Sequence, residues 1–250
     1  MNNEGLKNKY EKIWGSNPQF FTPYFGETLG MINMYDWSGK EVLEIGCGEG
    51  GLSSMIASLG AKKVLATDYS SEAIKTCKKS YFLENLNFEA KSHKNLKGRF
   101  DVIVMEGVLE HIDKPFDDLN MLIKNHLRKN GVVIASCPSF LNLRGHIWMT
   151  LQLLFNVPMT LTDLHFFLPS DFENFCRKNK YQLEYKSVEQ DWGSGGKLLL
   201  DYNKRLRNAL KDKDMKGDVD RLLSWIKKII KYQQCNNDTG AIIVYKIKKK

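Results

Sequence analysis

Hydrophobic and polar positions in this 250-residue chain follow a strand–helix alternation from Glu41 onwards. Val42, Leu43 and Ile45 form a short apolar run that predicts a buried strand over 41–46. Leu52, Ile56 and Leu59 then recur at helical spacing, which places a helix over 50–59, ended by Gly60. A second strand over 63–68 ends in Asp68, and Ser70 or Ser71 caps a helix that runs to Leu83. A weak third strand covers 87–90 and a strong fourth covers 100–105. Asp117 to Arg128 reads as a helix, and Gly131 opens a fifth strand that Pro138 stops. This order implies an α/β fold: a Rossmann-like open, mostly parallel sheet with helices on both faces.

The rhythm breaks after Pro138. Residues 139–168 are rich in aromatics, leucine and methionine without a clear strand, which predicts an inserted cap over the carboxyl edge of the sheet. A helix follows over 169–179, with Ser170 as its cap and Glu173 completing a capping box. Residues 181–188 alternate like a half-buried strand, and Gly193 to Gly196 read as a flexible loop. Val219, Leu222, Leu223, Ile226, Ile229 and Ile230 mark an amphipathic helix over 218–233 with lysines opposite. A strand over 241–247 brings the total to seven. Upstream of the sheet, Lys7 to Trp14 suit a short helix. The aromatics Tyr10, Trp14, Phe20, Phe21, Tyr24 and Phe25 suggest a flap that packs on the core or partly covers a ligand. The expected organisation is one domain over 1–250: flap 1–40, ligand-binding core 41–138, cap 139–168, and a C-terminal part 169–250 carrying the basic helix.

A hydrophobic share of 42% and a charged share of 26% are those of a soluble globular protein. The net charge of +8 is unevenly placed. Residues 197–250 hold 15 Lys plus Arg against 6 Asp plus Glu, whereas the first 196 hold 22 against 23. That C-terminal excess reads either as a solvated face or as a docking surface for anionic partners. The five cysteines are scattered without a CxxC pair or a His/Cys cluster, which supports neither a disulfide framework nor a metal site and fits a reducing cytoplasm. No apolar segment follows a basic start, and the longest apolar stretch, 147–157, is too short to span a bilayer. Oligomeric state is open.

The chemistry centres on the turn after the first strand. Gly46, Gly48 and Gly50 let the backbone turn sharply and let a ligand approach it, and the next helix points its free N–H groups at the same place. Gly46-x-Gly48-x-x-Gly51 also fits a dinucleotide fingerprint, and Asp68, twenty residues after Gly48, suits a ribose in either case. Ligands of open α/β sheets bind outside the carboxyl ends of the strands. Those ends collect Gly46 to Gly50, Asp68 with Tyr69, Ser92 with His93, Glu106 to His111, and Pro138 to Asn142.

The run Val42-Leu43-Glu44-Ile45-Gly46-Cys47-Gly48-Glu49-Gly50, then Asp68, then Gly107-Val108-Leu109-Glu110-His111-Ile112 resembles the class I S-adenosylmethionine-dependent methyltransferases over residues 41–138. The resemblance implies S-adenosylmethionine as cofactor. Gly46, Cys47 and Gly48 would contact its methionine portion by backbone, with Glu44 and Gly50 also in the cofactor site, and Asp68 would accept from both ribose hydroxyls. Tyr69 would pack on the adenine, with Ser92 or His93 at the adenine edge and Trp14 covering from the flap. Glu106 and Gly107 would line the methyl-donor site.

Methyl transfer needs an acceptor lone pair about 3 Å from the methyl carbon, and an alcohol acceptor also loses a proton. His111 and His165 are the candidate bases, with Glu106 behind them; each histidine also has a purely structural reading. Residues 137–146 and 163–169 look like family members that methylate sugars or other small metabolites in bacterial glycan pathways. That implies O-methylation of a small polyhydroxylated acceptor, a sugar or nucleotide-linked sugar for surface polysaccharide. Asn142, Arg144 and His165 would then be on the acceptor side, with Arg144 holding a phosphate or simply solvated. Trp148, Phe155 and Phe166 equally allow a phenol, a quinone precursor or an amine. A nucleic-acid-binding protein using the basic helix, unsupported by any aromatic–basic interleaving, and an inactive cofactor binder are the readings from other classes.

Overall fold

The computed structural model describes residues 25–159, 162–234, 236 and 238–249. The expected helix at Lys7 to Trp14 and the flap aromatics Tyr10, Trp14, Phe20, Phe21 and Tyr24 lie outside them. Seven strands form one sheet: β1 Glu41–Ile45, β2 Lys63–Asp68, β3 Leu86–Ala90, β4 Phe100–Glu106, β5 Leu127–Pro138, β6 Gln182–Val188 and β7 Ile242–Lys248. Their order is β3-β2-β1-β4-β5-β7-β6. Pairs from β3 through β5 are parallel, and β7 runs antiparallel to both β5 and β6. The strand order reverses between β1 and β4, and such a switch point opens a ligand crevice at the carboxyl ends.

The helices are α1 Phe25–Ile32, α2 Gly51–Ser58, α3 Ser71–Ser80, α4 Pro115–His126, α5 Leu143–Phe155, α6 Pro169–Asn179, α7 Gln190–Ser194, α8 over 198–212, and α9 Val219–Ile229. Side chains on a strand alternate between faces, so each sheet face receives every second residue. Val102 and Val104 join Val42, Val64 and Ile134 under α1 and α2, which contribute Met31, Leu52 and Ile56. Ile103 and Met105 join Leu43, Ile45 and Val133 on the other face, under Leu119, Leu122 and Ile123 of α4 and Phe172 and Phe175 of α6. Both faces are therefore dry, and each fully buried side chain of this size contributes about 1.5–3 kcal/mol.

Several boundaries differ from the sequence reading. The fifth strand starts at Leu127, not near Gly131, because Leu127 pairs with Phe100 before a register shift ahead of Val102. Its helix accordingly ends at His126, and Pro115 at its first turn starts it two residues early. The helix after β2 stops at Ser80, where Tyr81 turns extended, rather than at Leu83. At α6 the capping carboxylate is Asp171, which accepts from Leu168 N at 2.8 Å, not Glu173. Pro169 takes the first helical position, so the box shifts by two residues. Gly193 and Ser194 are buried in α7 rather than in a flexible loop, and α8 answers to no expected element.

The cap divides in two. Its first half is α5, which leaves the sheet to join α8 and α9 in a separate helical lobe around Trp148, Leu198, Tyr202, Leu206, Val219 and Ile226. Asp201 ties the lobe together: it accepts from Arg144 Nε at 2.9 Å and from Trp148 Nε1 at 3.2 Å, and pairs with Arg205 at 3.1 Å. The second half, ending in 162–168, returns to the sheet. Leu164 N and His165 N both donate to the Glu110 carbonyl, at 2.8 and 3.3 Å.

Candidate active site

The turn after β1 is locked from two sides. Gly46 sits at φ +74, and a Cβ there would stand 2.5 Å from Val108 Cγ2. Both Gly46 N and Cys47 N donate to the Thr67 carbonyl, at 2.7 and 3.0 Å. Gly50 caps α2 at φ +81, where a Cβ would meet the Phe88 ring at 2.9 Å. Only glycine combines that backbone with that space. The turn is thus pressed between the end of β2 and the loop after β4.

Asp68 closes the arrangement. Its Oδ2 accepts from Gly48 N at 3.1 Å and its Oδ1 from Ser70 N at 2.8 Å, which fixes the carboxylate beside the turn. Tyr69 follows, half-buried.

The remaining rim is acidic and buried. Glu44 takes a hydrogen bond from Ser53 Oγ. Burial pushes its carboxyl up to about 8, the nearby Glu106 and Asp68 add to that, and Ser53 opposes it. Glu106 accepts from Thr28 Oγ1 at 2.6 Å, and burial raises its carboxyl too. Glu27, on α1, is pushed up to about 8 by burial first and by Glu106 next, while Ser136 opposes the shift. Glu110 is held well above the usual carboxylate range by burial, then by Asp163 and Glu27. Among the described residues, Glu27 Oε1 and Glu110 Oε2 are buried oxygens without a hydrogen-bond partner. Sequence patterning points to none of Glu27, Thr28 and Asp163. Glu27 and Thr28 sit in a stretch dominated by aromatics, and Asp163 sits in a cap whose path the periodicity does not trace.

The expected site residues separate into two groups. Glu44, Gly46, Cys47, Gly48, Gly50, Asp68, Glu106 and Gly107 all lie on the rim around the strand switch, with Gly107 N donating to Ser136 Oγ at 3.2 Å. His111 joins them from the loop after β4: its Nδ1 lies 3.1 Å from the Thr162 carbonyl and 3.4 Å from Asp163 Oδ1. His165 Nε2 donates to the Ile112 carbonyl at 2.8 Å, and its ring stacks on Phe167. Ser92 caps a short turn by accepting from Lys94 N, and His93 Nε2 lies 2.8 Å from Asp118 Oδ2 on α4. Two acceptor-side candidates are committed elsewhere. Asn142 caps α5, accepting from Gly145 N at 2.7 Å and donating to the Ser139 and Gly240 carbonyls. Arg144 is 3% exposed and paired with Asp201, so it is neither solvated nor placed to meet a phosphate. Trp14 lies outside the described residues. Among the described residues, no group of three or more His, Cys, Asp or Glu side chains is arranged to hold a metal ion.

A family model described as "Methyltransferase domain" matches residues 25–185, well over half of the chain. The chain belongs to the S-adenosylmethionine-dependent class I methyltransferases. A Methanocaldococcus jannaschii protein that carries the name of a protein N5-glutamine methyltransferase is 32% identical over 153 residues, which cover 52% of this chain and 75% of that one. The mitochondrial ubiquinone biosynthesis O-methyltransferase of Schizosaccharomyces pombe is 33% identical over 172 residues, 62% of each chain. The methyltransferase therefore spans less than two thirds of that second relative. Among solved structures, the DhpI–SAH complex superposes with a TM-score of 0.60 at 13% identity, covering 98% of this chain and 95% of that one. At such identity the likeness concerns the fold alone. Among the described residues, no helix of the methyltransferase is long and apolar enough to cross a membrane.

Proposed function

We propose that the methyltransferase transfers a methyl group to a hydroxyl of a small polyhydroxylated acceptor. The feature that supports the donor half of this reading is the pairing of the glycine turn with Asp68, which the fold sets side by side. Glu44 and Glu106 are held towards their neutral forms by burial, so they offer hydrogen bonds there and not charge. The family match sets aside the dinucleotide reading of the glycine fingerprint. Asp68 would hold the ribose hydroxyls, Tyr69 the adenine face, and the backbone of Gly46, Cys47 and Gly48 the methionine portion. When bound, S-adenosylmethionine supplies a methyl group already activated by its positive sulfur.

The chain's own residues then handle alignment and the acceptor proton. A carbonyl and a carboxylate at His111 Nδ1 keep a proton on that nitrogen, which makes Nε2 the one able to accept a second. His111 is therefore the favoured base and Asp163 its orienting partner. His165 serves instead to fasten the cap to the loop after β4, and Glu106 to bind the donor. The commitment of Arg144 to Asp201 removes the phosphate anchor that a nucleotide-linked sugar would want, so a free sugar or a related polyol is the preferred acceptor class. The test is incubation with methyl-labelled donor and a panel of free sugars, nucleotide sugars, catechols and amines. Label in free sugars supports the reading; label confined to amines or phenols overturns the acceptor class.

A further inference from the structure

The helical lobe of α5, α8 and α9 carries a surface that methyl transfer does not require. On α9, Arg221, Trp225 and Lys228 stand at i, i+4 and i+7 and are all exposed, with Tyr232 one turn further. Trp225 is 53% exposed and Tyr232 73%. Lys231 Nζ lies 4.9 Å from the centroid of the Tyr232 ring. This alternation of basic and aromatic side chains is hidden in the linear sequence, because it becomes a stripe only once the helix phase is fixed. On the same lobe the end of α5 leaves Leu153 74% and Leu154 71% exposed. Phe155 beside them is 53% exposed and Leu200 on α8 64%, so the lobe leaves several large apolar side chains uncovered.

We infer that this lobe docks on the surface of an anionic lipid bilayer, with Trp225 and Tyr232 at the headgroup boundary and the flanking Arg221 and Lys228 against lipid phosphates. The charge argument selects that occupant. Residues 197–232, which include α8 and α9, carry 11 basic against 5 acidic side chains, and the acidic side chains Asp201 and Asp220 are already paired within the lobe. A second copy would set two positive faces against each other. A single-stranded nucleic acid would use the aromatics but has no use for exposed leucines, which offer no ring for a base to stack on. A bilayer can accommodate each of these features: amphipathic aromatics at the interface, basic side chains against the phosphates and exposed aliphatic side chains at the acyl boundary. The helix would lie on the membrane, not cross it. The inference rests on the lobe alone and is independent of the acceptor proposed above.

The experiment is co-sedimentation of the full chain with vesicles of phosphatidylcholine, with and without phosphatidylglycerol, at low and high salt. Binding is expected only with the anionic lipid and should fall as salt rises. Arg221→Gln with Lys228→Gln should weaken it roughly thirtyfold, at about 1 kcal/mol for each charge near the surface. Trp225→Ala with Tyr232→Ala should weaken it at unchanged charge. Both variants change exposed side chains only, and calorimetry with S-adenosylhomocysteine should show parental binding, which separates lost docking from lost folding. Equal binding to neutral vesicles, or no binding to either, overturns the inference. So does a salt-sensitive gel shift with RNA, or a dimer in solution, that the same variants abolish while vesicle binding is absent.

Discussion

His111 Nδ1 and Asp163 Oδ1 lie 3.4 Å apart, one on the loop that follows β4 and the other on the returning half of the cap. Neither element brings the pair together alone. The carbonyl of Glu110 fastens them by accepting from Leu164 N and His165 N. A carboxylate beside an imidazole fixes its tautomer and orientation, so the pair suits a positioned base. His111→Ala is expected to lower kcat by about 10²–10⁴-fold, the range ascribed to a positioned base. Asp163→Asn should cost less, with the loss in kcat and not in KM. Calorimetry should show donor affinity near the parent value for both. A parental kcat in Asp163→Asn would reduce Asp163 to a cap residue.

Asp68 should matter for binding and not for chemistry. Asp68→Ala removes the acceptors of Gly48 N and Ser70 N together with those offered to a ribose. A loss of about 1–3 kcal/mol in S-adenosylhomocysteine affinity is expected, the range for hydrogen bonds to a charged group. Titration calorimetry reads it directly, and Asp68→Asn should fall between the two.

Gly46→Ala tests the turn itself. The new methyl would press on Val108 Cγ2 and hold alanine at φ +74. Thermal unfolding should show a loss of about 1–3 kcal/mol. Adding Val108→Ala should relieve the contact but not the dihedral, so recovery should be partial. Complete recovery would mean that space alone forces glycine here.

Glu27 and Glu44 give the fold a signed pH dependence. Both carboxyls stand at about 8 in the folded chain against 4.5 ordinarily, chiefly through burial. The folded state keeps their protons after the unfolded state has lost its own. Their contribution is therefore fully present below about pH 4.5 and drains away as pH rises towards 8. Melting temperature measured across that window should fall with rising pH, and Glu44→Gln should flatten the slope. A Glu44→Gln variant with the parental slope would place the Glu44 carboxyl in its ordinary range.

The Arg144–Asp201 pair is a prediction about stability. Arg144 is 4% exposed at its side chain and Asp201 2%, so removing one partner strands a buried charge. Asp201→Ala should cost about 3–5 kcal/mol and loosen the lobe, visible as faster amide exchange in α5 and α8. Exchange confined to the sheet would argue that the lobe holds without this pair.

The order of β1 to β5 is legible in the amino-acid sequence, from apolar runs separated by glycine, proline and capping serines, because parallel strands buried on both faces leave few alternatives. The glycine turn and Asp68 are legible too, because their residue types are demanded by backbone conformation and by charge. What the sequence conceals depends on tertiary placement. The 198–212 helix is hidden because its buried residues Leu198, Tyr202 and Leu206 are few and set among basic and polar ones, and its middle winds as a π-helix. Arg144 reads as a surface cation because nothing in its neighbourhood announces Asp201, which lies fifty-seven residues downstream. Asn142 reads as a substrate contact because its position after β5 is where ligands often lie. Its side chain instead starts a helix.

The placement of β7 between β5 and β6 has a consequence for biogenesis. During synthesis β6 emerges well before residues 242–248, and its pairing partner in the sheet is β7. Until those residues leave the ribosome, β5 has an unfilled edge and β6 has no ladder at all. A nascent chain at that stage would display open strand edges to its neighbours, the condition under which chains aggregate or need chaperones. Insertion of one late antiparallel strand closes both edges in a single event.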